Sequence, residues 1–80
     1  MDDPYWEPLP TLWPQPAVCS TIDKLLLLVF THEGVPTWEV RIDPRKDVAR
    51  RDELLVTGTG DSFEAARTAA LFKAIAIGAS

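Results

Sequence analysis

From Gly58 to Gly78 the chain reads GTGDSFEAARTAALFKAIAIG, and this stretch limits the fold more than any other. It predicts a strand end, a turn and one long amphipathic helix. Asp61 or Ser62 is placed to accept hydrogen bonds from the free N–H groups of the first helical turn, and Glu64 favours its positive end. Gly78 is the expected stop, because glycine tolerates the left-handed conformation just beyond a helix. On a helical projection Phe63, Ala66, Ala70, Ala74 and Ile77 form one stripe, widened by Leu71 and Ile75. Such a stripe has to cover something apolar.

Three upstream segments need that cover. Leu25–Phe30 (LLLLVF) is an unbroken apolar run, and Thr37–Ile42 alternates, with Trp38, Val40 and Ile42 on one face. Between them lies Thr-His-Glu-Gly-Val-Pro, so strand, Gly-containing loop and strand make a hairpin. Asp43-Pro44 ends the second strand, 45–53 is a charged connection, and Leu54–Thr57 is a third strand closed by Gly58 and Gly60. The expected fold is α+β, a three-stranded antiparallel sheet on one C-terminal helix (βββα) over residues 19–80. Periodicity does not separate a buried strand from a short buried helix in the leucine run. Ser20 or Thr21 followed by Asp23 is also a plausible helix cap, so αββα stays open as the alternative. The leucine run is apolar on both sides of a strand, so the face away from the helix also needs a cover.

Residues 1–18 are set apart by composition. They hold five of the seven prolines, at 4, 8, 10, 14 and 16. Fixed φ angles and missing N–H donors exclude a helix and a central strand there. Tyr5, Trp6, Leu9, Leu12 and Trp13 are interleaved with the prolines, and a solvated linker has no use for two tryptophans. The favoured reading is an extended arm laid over the domain with its rings buried. A polyproline segment offered to a partner groove and a disordered tail are the alternatives.

Composition narrows the class. A net charge of −4 and a pI near 4.7 argue against general binding to nucleic acid or anionic membranes, which calls for a basic footprint. Cys19 is the single cysteine, so no internal disulfide forms and a reducing, cytoplasmic setting is expected. Leu25–Phe30 is too short to span a bilayer, and the acidic, proline-bearing start is unlike a secretory signal. Chemistry is scarce. His32 has no nucleophile or orienting group tied to it by spacing. One histidine and one cysteine fall short of a zinc set, so no metal is expected. Gly58-Thr59-Gly60 lacks the lysine and glycine spacing of a phosphate loop. The expectation is a protein without enzymatic activity or cofactor.

Two surfaces remain for binding. Arg41, Arg45, Lys46, Arg50 and Arg51 are interleaved with Asp43, Asp47, Asp52 and Glu53, which reads first as a salt-bridged loop. A functional version would turn Arg45, Lys46, Arg50 and Arg51 toward an acidic partner or nucleic acid. The second surface is the back of the helix. There Ala65, Ala69, Phe72 and Ala76 lie opposite the core stripe, leaving Phe72 with no obvious burial partner. That patch is the preferred contact site, for a partner protein or for a second copy in a homodimer.

Two family resemblances bear on these residues. Gly58-x-Gly60-x-Ser62 with Ala66, Arg67, Ala70 and Ala74 resembles the C-terminal half of double-stranded-RNA-binding domains, over roughly a third of the chain. That family's two phosphate-gripping lysines fall on Phe63 and Glu64 here, and its first helix is replaced by the proline arm. Ser20, Asp23, Leu28-Val29, Trp38 and Ala69-Ala70-Leu71 resemble small phage and prophage proteins of the ABA-sandwich kind, in which the segment after Ser20 is helical. In size and acidity the chain is also similar to anti-CRISPR proteins. These resemblances imply a phage or mobile-element protein in a bacterial cytoplasm that blocks a host protein, such as a CRISPR effector complex. On that reading Asp2, Asp3, Glu7, Glu33 and Glu39 compete for a basic nucleic-acid channel. A degenerate RNA-binding module and a self-associating assembly protein are the alternatives.

Overall fold

A computed structural model describes residues 5–8, 17–50 and 53–78. It shows an α+β fold, an antiparallel sheet with one C-terminal helix on one face. The strands are β1 (Glu7–Pro8), β2 (Ala17–Ile22), β3 (Leu25–His32), β4 (Val35–Ile42) and β5 (Leu54–Thr59), and the helix is α1 (Phe63–Gly78). Sheet order follows chain order, β1-β2-β3-β4-β5, a simple meander.

The sheet has five strands where the sequence predicts three. β2 takes the last two residues of the arm, Ala17 and Val18, together with Cys19–Ile22, so the proline-free end of the arm does enter an interior strand. Ser20, Thr21 and Ile22 pair with Leu27, Leu26 and Leu25, so nothing after Ser20 is helical and the αββα alternative does not hold. The turn between β2 and β3 puts Asp23 at φ 55, the left-handed region that aspartate tolerates better than most residues. Asp23 therefore reverses the chain instead of standing in the first turn of a helix capped by Ser20 or Thr21. β1 adds two residues through Glu7 opposite Cys19 and Pro8 opposite Val18. A proline is admissible there because the strand is an edge.

The central hairpin is tighter than a six-residue loop. His32 pairs with Val35, and only Glu33 (φ 53) and Gly34 (φ 79) reverse the chain. Two positive φ angles in a two-residue turn match the right-handed twist of the flanking strands.

One face of the sheet is dry. Leu25, Leu27 and Val29 on β3 meet Ile42, Val40 and Trp38 on β4, and Ala66, Ala70 and Ala74 of α1 close the core above them. The stripe read from the helical projection is the buried stripe, with Phe63 and Ile77 packed at its ends. Alanine on this face lets the helix axis come close to the sheet, so the strands supply most of the core volume. Ser62 Oγ accepts a hydrogen bond from the Ala65 N–H at 3.0 Å, which makes Ser62 the N-cap. At the other end Gly78 is the last helical residue and does not take a positive φ, unlike the expected left-handed stop.

Both glycines before the helix have packing reasons. A Cβ on Gly58, which lies within β5 opposite Trp38, would stand 2.4 Å from Trp38 Cζ2. A Cβ on Gly60 would stand 2.8 Å from the Ala66 backbone nitrogen. Gly60 also donates its N–H to the Pro36 carbonyl at 3.0 Å, tying the turn to the start of β4.

Candidate interaction surface

The outer face of α1 carries an exposed ring. Phe72 is 69% exposed, in a shallow depression shared with Ser62, Glu64, Ala65, Thr68 and Ala69. Ala65 and Ala76 are exposed beside it, and Ala69 is half-buried because its other side packs on the core. The helical period dictates this outcome. Residues 65, 72 and 76 point away from the stripe that faces the sheet, and Ala69 stands at its border instead of opposite it. Trp6 occupies the opposite flank, packed on the core and lining a second depression with Glu64, Arg67, Thr68 and Leu71. Tyr5 is 78% exposed, so of the two rings in the described part of the arm one is half-buried and the other stands in solvent. Leu9, Leu12 and Trp13 lie outside the described residues.

Two of the basic candidates, Arg45 and Arg50, are engaged in ion pairs. Arg45 holds Asp43 through its Nε at 3.2 Å and its terminal nitrogen at 3.1 Å, and its backbone N–H donates to Asp43 Oδ1 at 2.9 Å. Arg50 pairs with Glu53 three residues on, around a single 3-10 turn at Val48–Arg50. Lys46 is exposed, and Arg51 lies outside the described residues. The stretch behaves as the salt-bridged loop that its alternating signs suggest.

Asp43 is the residue here that sequence reading undervalued. It is fully buried, whereas the Arg45 side chain is 73% exposed. The Arg45 guanidinium hydrogen-bonded to it holds its carboxyl below the usual carboxylate value, against the opposing effect of burial. Its N–H donates to Lys24 O, and its carbonyl accepts from Lys46 and Asp47, so it joins the β2–β3 turn to the loop after β4. A carboxyl lowered in the folded state contributes stability that is fully present above its unfolded pKa and is lost as pH falls through the folded one. Urea unfolding followed by circular dichroism should therefore show wild type losing stability on the acid side. Asp43→Asn should start lower at neutral pH and lose less on acidification. Parallel pH curves for the two proteins would refute this role.

Among the described residues the acidic candidates Glu7, Glu33 and Glu39 do not gather. Asp2 and Asp3 lie outside the described residues. Glu33 is exposed at the tip of the β3–β4 turn, remote in the sheet from Glu7 on β1. Glu7, Cys19, Leu28 and Glu39 form one cross-strand row on the face away from the helix. Three strand spacings put the two carboxylates roughly 14 Å apart. Glu39 accepts from Arg41 Nε at 3.0 Å, which neutralises it locally. Burial and then the Glu7 charge push the Cys19 thiol up, the opposite of what a nucleophilic cysteine needs.

His32 is exposed at the end of β3. Among the described residues no cluster of histidine, cysteine and carboxylate has the makings of a metal site, and no helix is long and apolar enough to cross a membrane. Comparison with protein-family models, curated proteins and solved structures finds no match to this chain.

Proposed function

We propose that the chain is a non-enzymatic binding protein that docks on a partner protein through the outer face of α1, with Phe72 as its anchor. The observation that carries this is the 69% exposure of Phe72 among small side chains. Taking such a ring out of water is worth roughly 1.5–3 kcal/mol, and the surrounding alanines let a partner surface come close. Glu64 lines the same depression and Asp61 is exposed ahead of it, so the fitting partner has an apolar pocket with a basic rim.

The finer reading is a phage or mobile-element inhibitor of a host nucleic-acid-handling complex, anti-CRISPR-like in action. Its support is the resemblance in size and acidity together with the charge of −4. The scattered carboxylates suit long-range steering toward a basic partner better than imitation of a phosphate row. The RNA-binding alternative is less favoured. Asp61 and Glu64 stand exposed at the helix start, where a phosphate would need positive charge, and Arg67 is half-buried in the depression shared with Trp6 and Glu64.

A pull-down from bacterial lysate with tagged wild type beside Phe72→Asp tests this. The expected result is a host protein captured by wild type, lost from the variant and largely retained at raised salt. Equal capture by both proteins would remove Phe72 as the anchor. Duplex RNA retained by wild type and lost on Arg67→Ala would favour the RNA-binding alternative instead.

A further inference from the structure

The two edges of the sheet are built differently. β1 is two residues long and contains Pro8, both recognised ways of discouraging another strand from adding. β5 is the last strand at the opposite edge, and Leu54–Thr59 (LLVTGT) has no proline and no charged residue. A bulge opposite Val40 and Arg41 disturbs only its beginning, leaving Val56 to Thr59 in regular register with β4.

The Gly60–Pro36 bond fixes the hydrogen-bond phase of that edge. Gly60 donates to Pro36, so Gly60, Gly58 and Val56 turn their backbone groups toward β4. Antiparallel pairs alternate, and therefore the N–H and C=O groups of Thr57 and Thr59 point outward, away from the sheet. Thr57 and Thr59 are both exposed. Backbone donors and acceptors in this arrangement are a template for one more strand.

We infer that β5 pairs with β5 of a second copy, antiparallel about a two-fold axis at Gly58, joining two sheets into one. In that register Thr57 lies opposite Thr59 of the second copy and Thr59 opposite its Thr57. Each pair exchanges two backbone hydrogen bonds and sets two threonine side chains together on the face away from the helices. Charge selects this register. Centring the axis on Thr57 would carry the Glu53 end of each strand toward the Asp61 turn of the other, two carboxylates together, whereas centring on Gly58 offsets them and keeps the regular Val56–Thr59 ladder free of charge. The strand is thus self-complementary without a like-charge penalty, which is why a second copy, not an unrelated peptide, is the occupant. Exposed Leu54 (44%) extends the edge as apolar rim. The inference does not rest on the Phe72 reading, since that ring belongs to the helix.

Thr59→Pro is the discriminating variant, because the outward N–H of Thr59 makes no bond to β4 and its loss leaves the monomer's own ladder intact. Light scattering after size exclusion should give wild type twice the 8.9 kDa chain mass, and Thr59→Pro the single mass with an unchanged circular dichroism spectrum. Phe72→Asp should remain a dimer. As a measurement independent of any substitution, hydrogen exchange of the Thr57 and Thr59 amides in wild type should slow as protein concentration rises. A monomeric wild type at the highest soluble concentration would overturn the inference. So would a dimer that survives Thr59→Pro but is lost on Phe72→Asp, or exchange at these amides that does not change with concentration.

Discussion

Leu27→Ala is expected to lower the unfolding free energy by about 2–5 kcal/mol, a large part of the roughly 4–12 kcal/mol that a domain of this size has in all. Leu27 lies in the middle of the central strand and is wholly buried, opposite Ser20 on β2 and Val40 on β4. The reason for so large a loss is what faces it. The helix presents Ala66, Ala70 and Ala74 to the sheet, and no methyl group can swing into a hole left by three missing carbon atoms. Leu28 is the natural comparison, one residue along and on the other face, where it is half-buried. Leu28→Ala should cost clearly less in urea unfolding followed by circular dichroism. Equal losses would mean that the face away from the helix is packed as tightly as the core.

That contrast also explains what was legible in the sequence. The 3.6-residue spacing of Phe63, Ala66, Ala70, Ala74 and Ile77 specified both the buried side of α1 and, by subtraction, the exposed side that holds Phe72. The alternation of Trp38, Val40 and Ile42 specified the face of β4. β2 was not legible because Ala17–Ile22 mixes small, polar and β-branched residues. Its strand state is imposed by pairing along Leu25–Phe30, a tertiary effect that local propensity does not carry. β1 is too short for any periodicity to register. Asp43 looked like a strand stop, and its burial depends on the guanidinium two residues away closing over it. The β5 edge could not be read either. Whether a strand is an edge is a property of sheet order, and three strands counted without β1 and β2 give no contrast between a guarded edge and a bare one.

The Gly58–Trp38 contact leads to the other large effect. Trp38→Ala is expected to cost about 3–5 kcal/mol, since a 6%-exposed indole is removed from the core. Gly58→Ala should cost about 1–3 kcal/mol by overpacking, although alanine is otherwise the better strand former. The indole decides the sign. It reaches across from β4, with Cζ2, Cε2 and Nε1 all within 3.0 Å of where the new Cβ would stand, and a buried tryptophan cannot rotate away as a lysine tip would. The two costs therefore should not add. In a Trp38→Ala background the clash is gone, so Gly58→Ala should become neutral or stabilising, with a coupling of about 0.5–3 kcal/mol across the double-mutant cycle. Trp38→Phe separates shape from hydrogen bonding. The Trp38 Nε1 donor is buried with no acceptor among the described residues, so phenylalanine removes an uncompensated polar group as well as the ring that meets Gly58. Trp38→Phe should thus cost much less than Trp38→Ala and should relieve part of the Gly58→Ala penalty. Additive losses in the cycle would mean that the indole shifts freely at this site, and that Gly58 is needed for its backbone and not for the room it leaves.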